Sequence, residues 1–121
     1  MRRIGWWLTM SDLPATLTVT TSDRPPTLRG TLDPLSFQAE ELWLPVIGPS
    51  AYLLGQRLVR DARQDILLHD REELGFSLGM RGKLLPKAVE RLEYFNLALR
   101  TGNGSITIFD PWPIPRPPRR H

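Results

Sequence analysis

Apolar and polar residues alternate from Ala15 to Thr20 (Ala-Thr-Leu-Thr-Val-Thr), the period-two pattern of a half-buried strand. A second extended piece is predicted over Thr27–Leu32, after the Asp23-Arg24-Pro25-Pro26 turn, either in a hairpin with the first or lying separately along the core. From Ser36 the spacing becomes helical. Ser36–Leu44 carries Phe37, Leu42 and Trp43 among Glu40 and Glu41, and Pro45 is expected to stop this helix. Gly48-Pro49-Ser50 opens a stronger helix that reaches about Arg63. On its wheel Ala51, Leu54, Gly55, Leu58, Val59 and Ala62 share one arc, with Gln56, Arg57, Arg60, Asp61 and Arg63 opposite. Leu53 falls on the polar side and is expected to pack beneath the N-terminal extension.

The apolar run Ile66-Leu67-Leu68-His69 is too short for a helix and predicts a small strand. Asp70-Arg71-Glu72-Glu73 has the form of a capping box, Asp70 taking the amide of the third residue on and Glu73 reaching back. The short helix it starts offers Leu74 and Leu78 to the core, and Gly79 supplies a left-handed stop. After the Met80–Lys83 turn, a longer helix is predicted from Leu84 to Phe95, with Pro86 tolerated in its first turn. Leu84, Leu85, Ala88, Val89, Leu92 and Phe95 form its apolar arc, and Lys87, Glu90, Arg91, Glu93 and Tyr94 its polar one. Asn96 suits a left-handed helix end. Leu97–Arg100 and Ser105–Phe109, joined by Thr101-Gly102-Asn103-Gly104, predict a β-hairpin.

The tail changes this picture. Five prolines in residues 111–118 exclude a helix or a sheet interior and favour extended backbone. Trp112 and Ile114 argue for a strap packed on the body over 110–115, followed by a free basic arm over 116–121. The chain thus divides into an extended N-terminal segment with candidate strands (1–35), a folded unit (36–110) and a Pro-rich basic tail (111–121). With 121 residues, 40% apolar and 24% charged, it has material for a core and too little charge to be wholly disordered. The absence of cysteine rules out disulfides, thiol nucleophiles and zinc-thiolate sites. No apolar run approaches the roughly 20 residues of a membrane span, so a soluble, cytoplasmic protein is expected, with no membrane partner. Charge is uneven: eight basic residues face three acidic ones in 80–121, against eight and ten in 1–79. That asymmetry suggests a surface turned towards a polyanion.

The order of helix, short strand, capped helix, tight turn, longer helix and hairpin resembles the winged helix-turn-helix family over residues 36–110. Asp70–Gly79 is similar to that family's first motif helix, and Pro86–Ala98 to its recognition helix running into the wing. The phrase Trp43-Leu44-Pro45-Val46-Ile47-Gly48-Pro49-Ser50-Ala51 is also similar to one in uncharacterised actinobacterial proteins of this build. Two features depart from the pattern: the turn from Met80 to Leu85 is long, and Gly75 weakens the first motif helix. The resemblance implies an α+β, mostly α fold, with a short hairpin wing and extended Pro-rich termini. It implies sequence-specific binding of double-stranded DNA, in the service of transcriptional regulation, by a cytoplasmic, nucleoid-associated protein. The recognition helix would offer Lys87, Arg91 and Tyr94, the preceding turn Arg81 and Lys83, and the wing Arg100 and Asn103. Arg116, Arg119 and Arg120 of the tail would add phosphate contacts.

No cofactor is called for. One recognition helix gives limited specificity, so a homodimer or a partner protein is expected, with the threonine-rich strand and Trp43 as candidate contact points. The alternative is a winged-helix protein-interaction module acting as an adaptor, its glutamates and Pro-rich tail engaging a partner. An enzyme is not indicated: His69 and His121 are the only histidines, and Ser50 and Ser77 lack evident His–acid partners.

Overall fold

The computed structural model describes residues 13–23, 30–102 and 104–116. The expected basic arm beyond Arg116, the contacts assigned to Asn103, Arg119 and Arg120, and most of the Thr27–Leu32 piece lie outside them. In chain order the elements are β1 (Thr16–Ser22), β2 (Thr31–Leu32), α1 (Phe37–Ile47), α2 (Pro49–Arg63), β3 (Leu68–Asp70), α3 (Arg71–Ser77), α4 (Leu84–Tyr94), β4 (Ala98–Arg100), β5 (Ser105–Phe109) and β6 (Trp112–Pro113). The architecture is α+β.

The alternation from Ala15 to Thr20 is realised as expected, with Leu17 and Val19 buried and Thr16, Thr18 and Thr20 exposed. Its pairing was not legible in that pattern. Among the described residues β1 does not pair with Thr31–Leu32; it enters the middle of a four-stranded sheet of order β3-β1-β5-β4. It runs antiparallel to β3, with Leu17 opposite His69, and parallel to β5, with Val19 opposite Ile106. A parallel neighbour needs a long crossover, and here nearly the whole fold supplies it. α2 lies against β1, β5, α1 and α4, so Leu54, Leu58 and Val59 meet Leu17, Val19, Ile106 and Ile108 in one core. The N-terminal and C-terminal segments share that core with residues 36–110.

Several boundaries differ from expectation for identifiable reasons. α1 begins at Ser36, whose hydroxyl accepts from the Ala39 amide at 3.1 Å, but it runs through Pro45 to Ile47. Pro45 and Glu41, whose carbonyl loses its amide partner to the proline, are both exposed residues. Gly48, at φ +87°, is the true break: its amide closes on Leu44 at 2.9 Å, and Pro49 starts α2 at once. β3 begins at Leu68 and leaves the side chains of Ile66, Leu67 and Leu68 exposed. The pleat gives the core-facing place beside Leu17 to His69 instead. Leu53 is exposed and Leu84 half-exposed, so neither joins the core. Of the candidate dimer contacts, Trp43 is internal, buried with its Nε1–H donated to the Pro113 carbonyl at 2.8 Å, whereas β1, paired on both edges, keeps its threonine face exposed.

The C-terminal strap is the expected one, and it goes deeper than a surface packing. Trp112 is fully buried, edge-on to Trp43 and Tyr52 at centroid distances of 6.2 and 6.4 Å. β6 pairs with β2, Trp112 opposite Leu32. Gly55 in the middle of α2 makes the room, since a Cβ there would stand 2.9 Å from the Trp112 ring and 3.3 Å from Leu92. Outside this pocket, Arg63 at the end of α2 holds the strap shut. Its guanidinium donates to Asp110 at 2.9 and 3.0 Å and to Asp33, ahead of α1, at 2.7 Å.

Two outcomes follow. Gly55→Ala gains about 1 kcal/mol of helix propensity but must push the Trp112 ring away, an overpacking cost of about 1–3 kcal/mol; net destabilisation is expected by urea unfolding. The hydrogen bond from Arg63, with that from the Leu35 amide, holds the Asp33 carboxyl below its ordinary range. The unfolded chain therefore binds a proton that the folded chain refuses, and the stability due to Asp33 is present above about pH 4 and lost as pH falls through its depressed pKa. The drop in urea midpoint on acidification from about pH 5 to about pH 2 should be smaller in Arg63→Met than in wild type.

Candidate functional site

The site is built where α3 and α4 meet. Asp70 starts α3 by accepting the Glu73 amide at 2.9 Å. Leu74 and Gly75 turn inward, and the chain leaves α3 through Gly79 at φ +72°, as its glycine predicts. Gly75, a weakness by helix propensity alone, is what lets the turn close. The Met80 amide donates to its carbonyl at 2.7 Å, and a Cβ on Gly75 would lie 2.5 Å from the Met80 carbonyl oxygen. Met80 is thereby buried as a plug under the turn, while Arg81, Gly82 and Lys83 stay exposed. α4 follows, with Leu85, Ala88, Val89 and Leu92 buried along one side.

Between the two helices lies a groove of about 630 Å³. Leu13, Met80 and Leu85 line its base, Phe76 its α3 wall, and Arg81, Lys83 and Lys87 its rim; Glu90 lies further along α4. Arg71 closes the far wall, donating to the Leu13 carbonyl at 2.6 Å and to Glu72 at 3.2 Å. That arginine is structural, a role its place in the capping box concealed. Phe76 is 74% exposed. Its exposure was legible, because two residues beyond inward Leu74 is about 200° round a helix. Its position beside an apolar floor was not.

Of the ten residues expected to meet DNA, three gather here. Arg81, Lys83 and Lys87 are exposed and have no ion-pair partner among the described residues. Tyr94, at the other end of α4, is 78% exposed with its ring against Phe95. Arg116 is exposed at the end of the described tail, outside this groove. The remaining two described arginines are committed elsewhere. Arg91 turns from the expected base-reading role to the end of α1: Nε donates to the Ile47 carbonyl at 2.9 Å, Nη2 to Val46 at 3.3 Å, and the cation lies 5.6 Å from the Phe95 ring centroid. It caps the last two carbonyls of α1, beyond the one that the Gly48 amide satisfies. Arg100, expected at the tip of the wing, is only 12% exposed in its side chain and ion-paired with Glu93 at 3.1 Å. Glu93 also takes the Arg100 amide at 2.9 Å, which ties the hairpin to α4. The same pair removes one of the two glutamates that would repel phosphate from this helix.

Among the described residues no helix is long and apolar enough to cross a membrane. Comparison with protein-family models, curated proteins and solved structures finds no match to this chain.

Gly75→Ala tests how the site is held. Helix propensity alone predicts a gain of about 1 kcal/mol; contact with the Met80 carbonyl predicts a net loss of about 1–3 kcal/mol in urea unfolding, with Met80 forced out of place.

Proposed function

We propose that the edge formed by α3, the Met80–Lys83 turn and α4 binds duplex DNA, as a winged helix-turn-helix whose wing is the β4–β5 hairpin. The observation that carries this reading is the placement of Arg81, Lys83 and Lys87. Three exposed cations without ionic partners among the described residues stand on the turn and first turn of one helix. Such an array suits successive phosphates, whose neutralisation releases counterions and drives binding. The order of elements over 36–110 supports the same reading. With Arg91 bonded to the end of α1 and Arg100 paired with Glu93, base reading falls to Lys87 and Tyr94, and affinity is dominated by phosphate contacts. Sequence specificity then requires a second DNA-bound copy or partner, through a surface other than Trp43 or the edges of β1.

Fluorescence anisotropy on random duplexes across a salt series checks this. Lys83→Ala should weaken binding to all sequences alike and reduce the salt slope by about one unit. Arg91→Ala should lower the melting temperature by uncapping α1 and leave the slope unchanged, because Arg91 contacts no phosphate. Absence of binding to any duplex at low salt, where nonspecific attraction is strongest, would overturn the reading.

A further inference from the structure

The groove between α3 and α4 has a property that phosphates leave unused, namely its apolar interior. Leu13, Met80 and Leu85 are buried at its base, and Phe76 stands open to solvent on the wall above them. A single exposed aromatic is ordinary on a protein surface, but one beside an apolar floor marks a place where a further apolar group loses water contact on entry. The rim adds charge of one sign at one end. Arg81 and Lys83 stand on the turn and Lys87 on the first turn of α4, all without ion-pair partners among the described residues. On the opposite wall the exposed Glu72 carboxylate is paired with Arg71 at 3.2 Å. Glu90, one turn beyond Lys87, gives the groove a polarity.

We propose that this groove is a docking site for a short acidic segment of a partner protein, anchored by one bulky apolar side chain against Phe76 and held by carboxylates on Arg81, Lys83 and Lys87. Charge complementarity selects the segment, and the polarity orients it. Its acidic end lies over the turn, and an uncharged or basic residue lies near Glu90. The site shares its cations with the DNA reading but not its anchor. A bound acidic segment covers the phosphate contacts, so segment and duplex exclude one another. Phe76 separates the two interactions, because phosphates have no use for it and a peptide anchor does.

The test is selection of a phage-displayed random 12-residue peptide library on the full-length chain, followed by anisotropy of a fluorescein-labelled synthetic copy of an enriched peptide. Enriched sequences should carry two or more Asp or Glu beside a Phe, Trp or Leu. Phe76→Ser should weaken the labelled peptide about tenfold while leaving the melting temperature and the DNA salt slope unchanged. Lys83→Glu should weaken peptide and DNA together, and random duplex should displace the peptide. Enrichment of sequences without acidic residues, no enrichment at all, or peptide binding indifferent to Phe76→Ser overturns the docking site. Enrichment of acidic sequences by a protein that binds no duplex supports the docking site and overturns only the DNA reading.

Discussion

Burial of Trp112 against Gly55 is the contact on which the rest of this structure depends. It puts the largest side chain of the C-terminal strap into a gap in the central helix, between Trp43 of α1 and Tyr52 of α2. A full-sized aromatic there removes on the order of 150–250 Å² from water. It fixes the strap, and the strap brings β6 to β2 and the Pro113 carbonyl to the Trp43 Nε1–H. The Trp112 Nε1–H has no hydrogen-bond partner among the described residues, a cost of about 1–3 kcal/mol that the packing more than offsets. Arg63, bridging Asp33 and Asp110, keeps the two ends of the chain over this pocket.

From that pocket the position of α4 follows by a short series of contacts. Leu92 lies beside Gly55 and Trp112, and Phe95 packs edge-on against Trp43. Arg91 then grips the open end of α1, and Glu93 grips β4 through Arg100. The polar arc of α4 is thus spent largely on holding the helix in place. Solvent is left with its first turn, the turn before it, Glu90 and Tyr94. The surface this leaves is basic at one end, apolar within and acidic further along.

The long-range pairings explain why the flanking segments matter to the site. Leu13, at the entry to β1, forms part of the groove base, and its carbonyl is held by Arg71. β1 reaches that point only because it is inserted between β3 and β5, each of which comes from a distant part of the chain. The threonines of its outer face meet water, and Thr20 shares a hydroxyl contact with Thr107 at 3.2 Å. The groove is therefore built from the N-terminal segment as well as from the two helices that border it.

Local chemistry by itself determined much of this protein. Period-two alternation determined which side of β1 is buried, helical spacing the inward arcs of α2 and α4, Asp70 the start of α3, Gly79 and Asn96 left-handed ends, and Gly102 with its neighbours the site of the hairpin turn. Each of these is decided by interactions within a few residues, so a short stretch of sequence carries the answer. Only the tertiary structure decided that β1 is central, that Gly55 is a socket for Trp112, that Gly75 admits the Met80 carbonyl, and that α1 outlasts Pro45. It also decided that Arg91 and Arg100 serve the fold while Arg81, Lys83 and Lys87 remain available. An arginine on a polar helical arc has the same local pattern whether it meets water, DNA or the carbonyls at the end of another helix. The choice is set by which unsatisfied group stands within a side chain's reach, and that depends on residues tens of positions away.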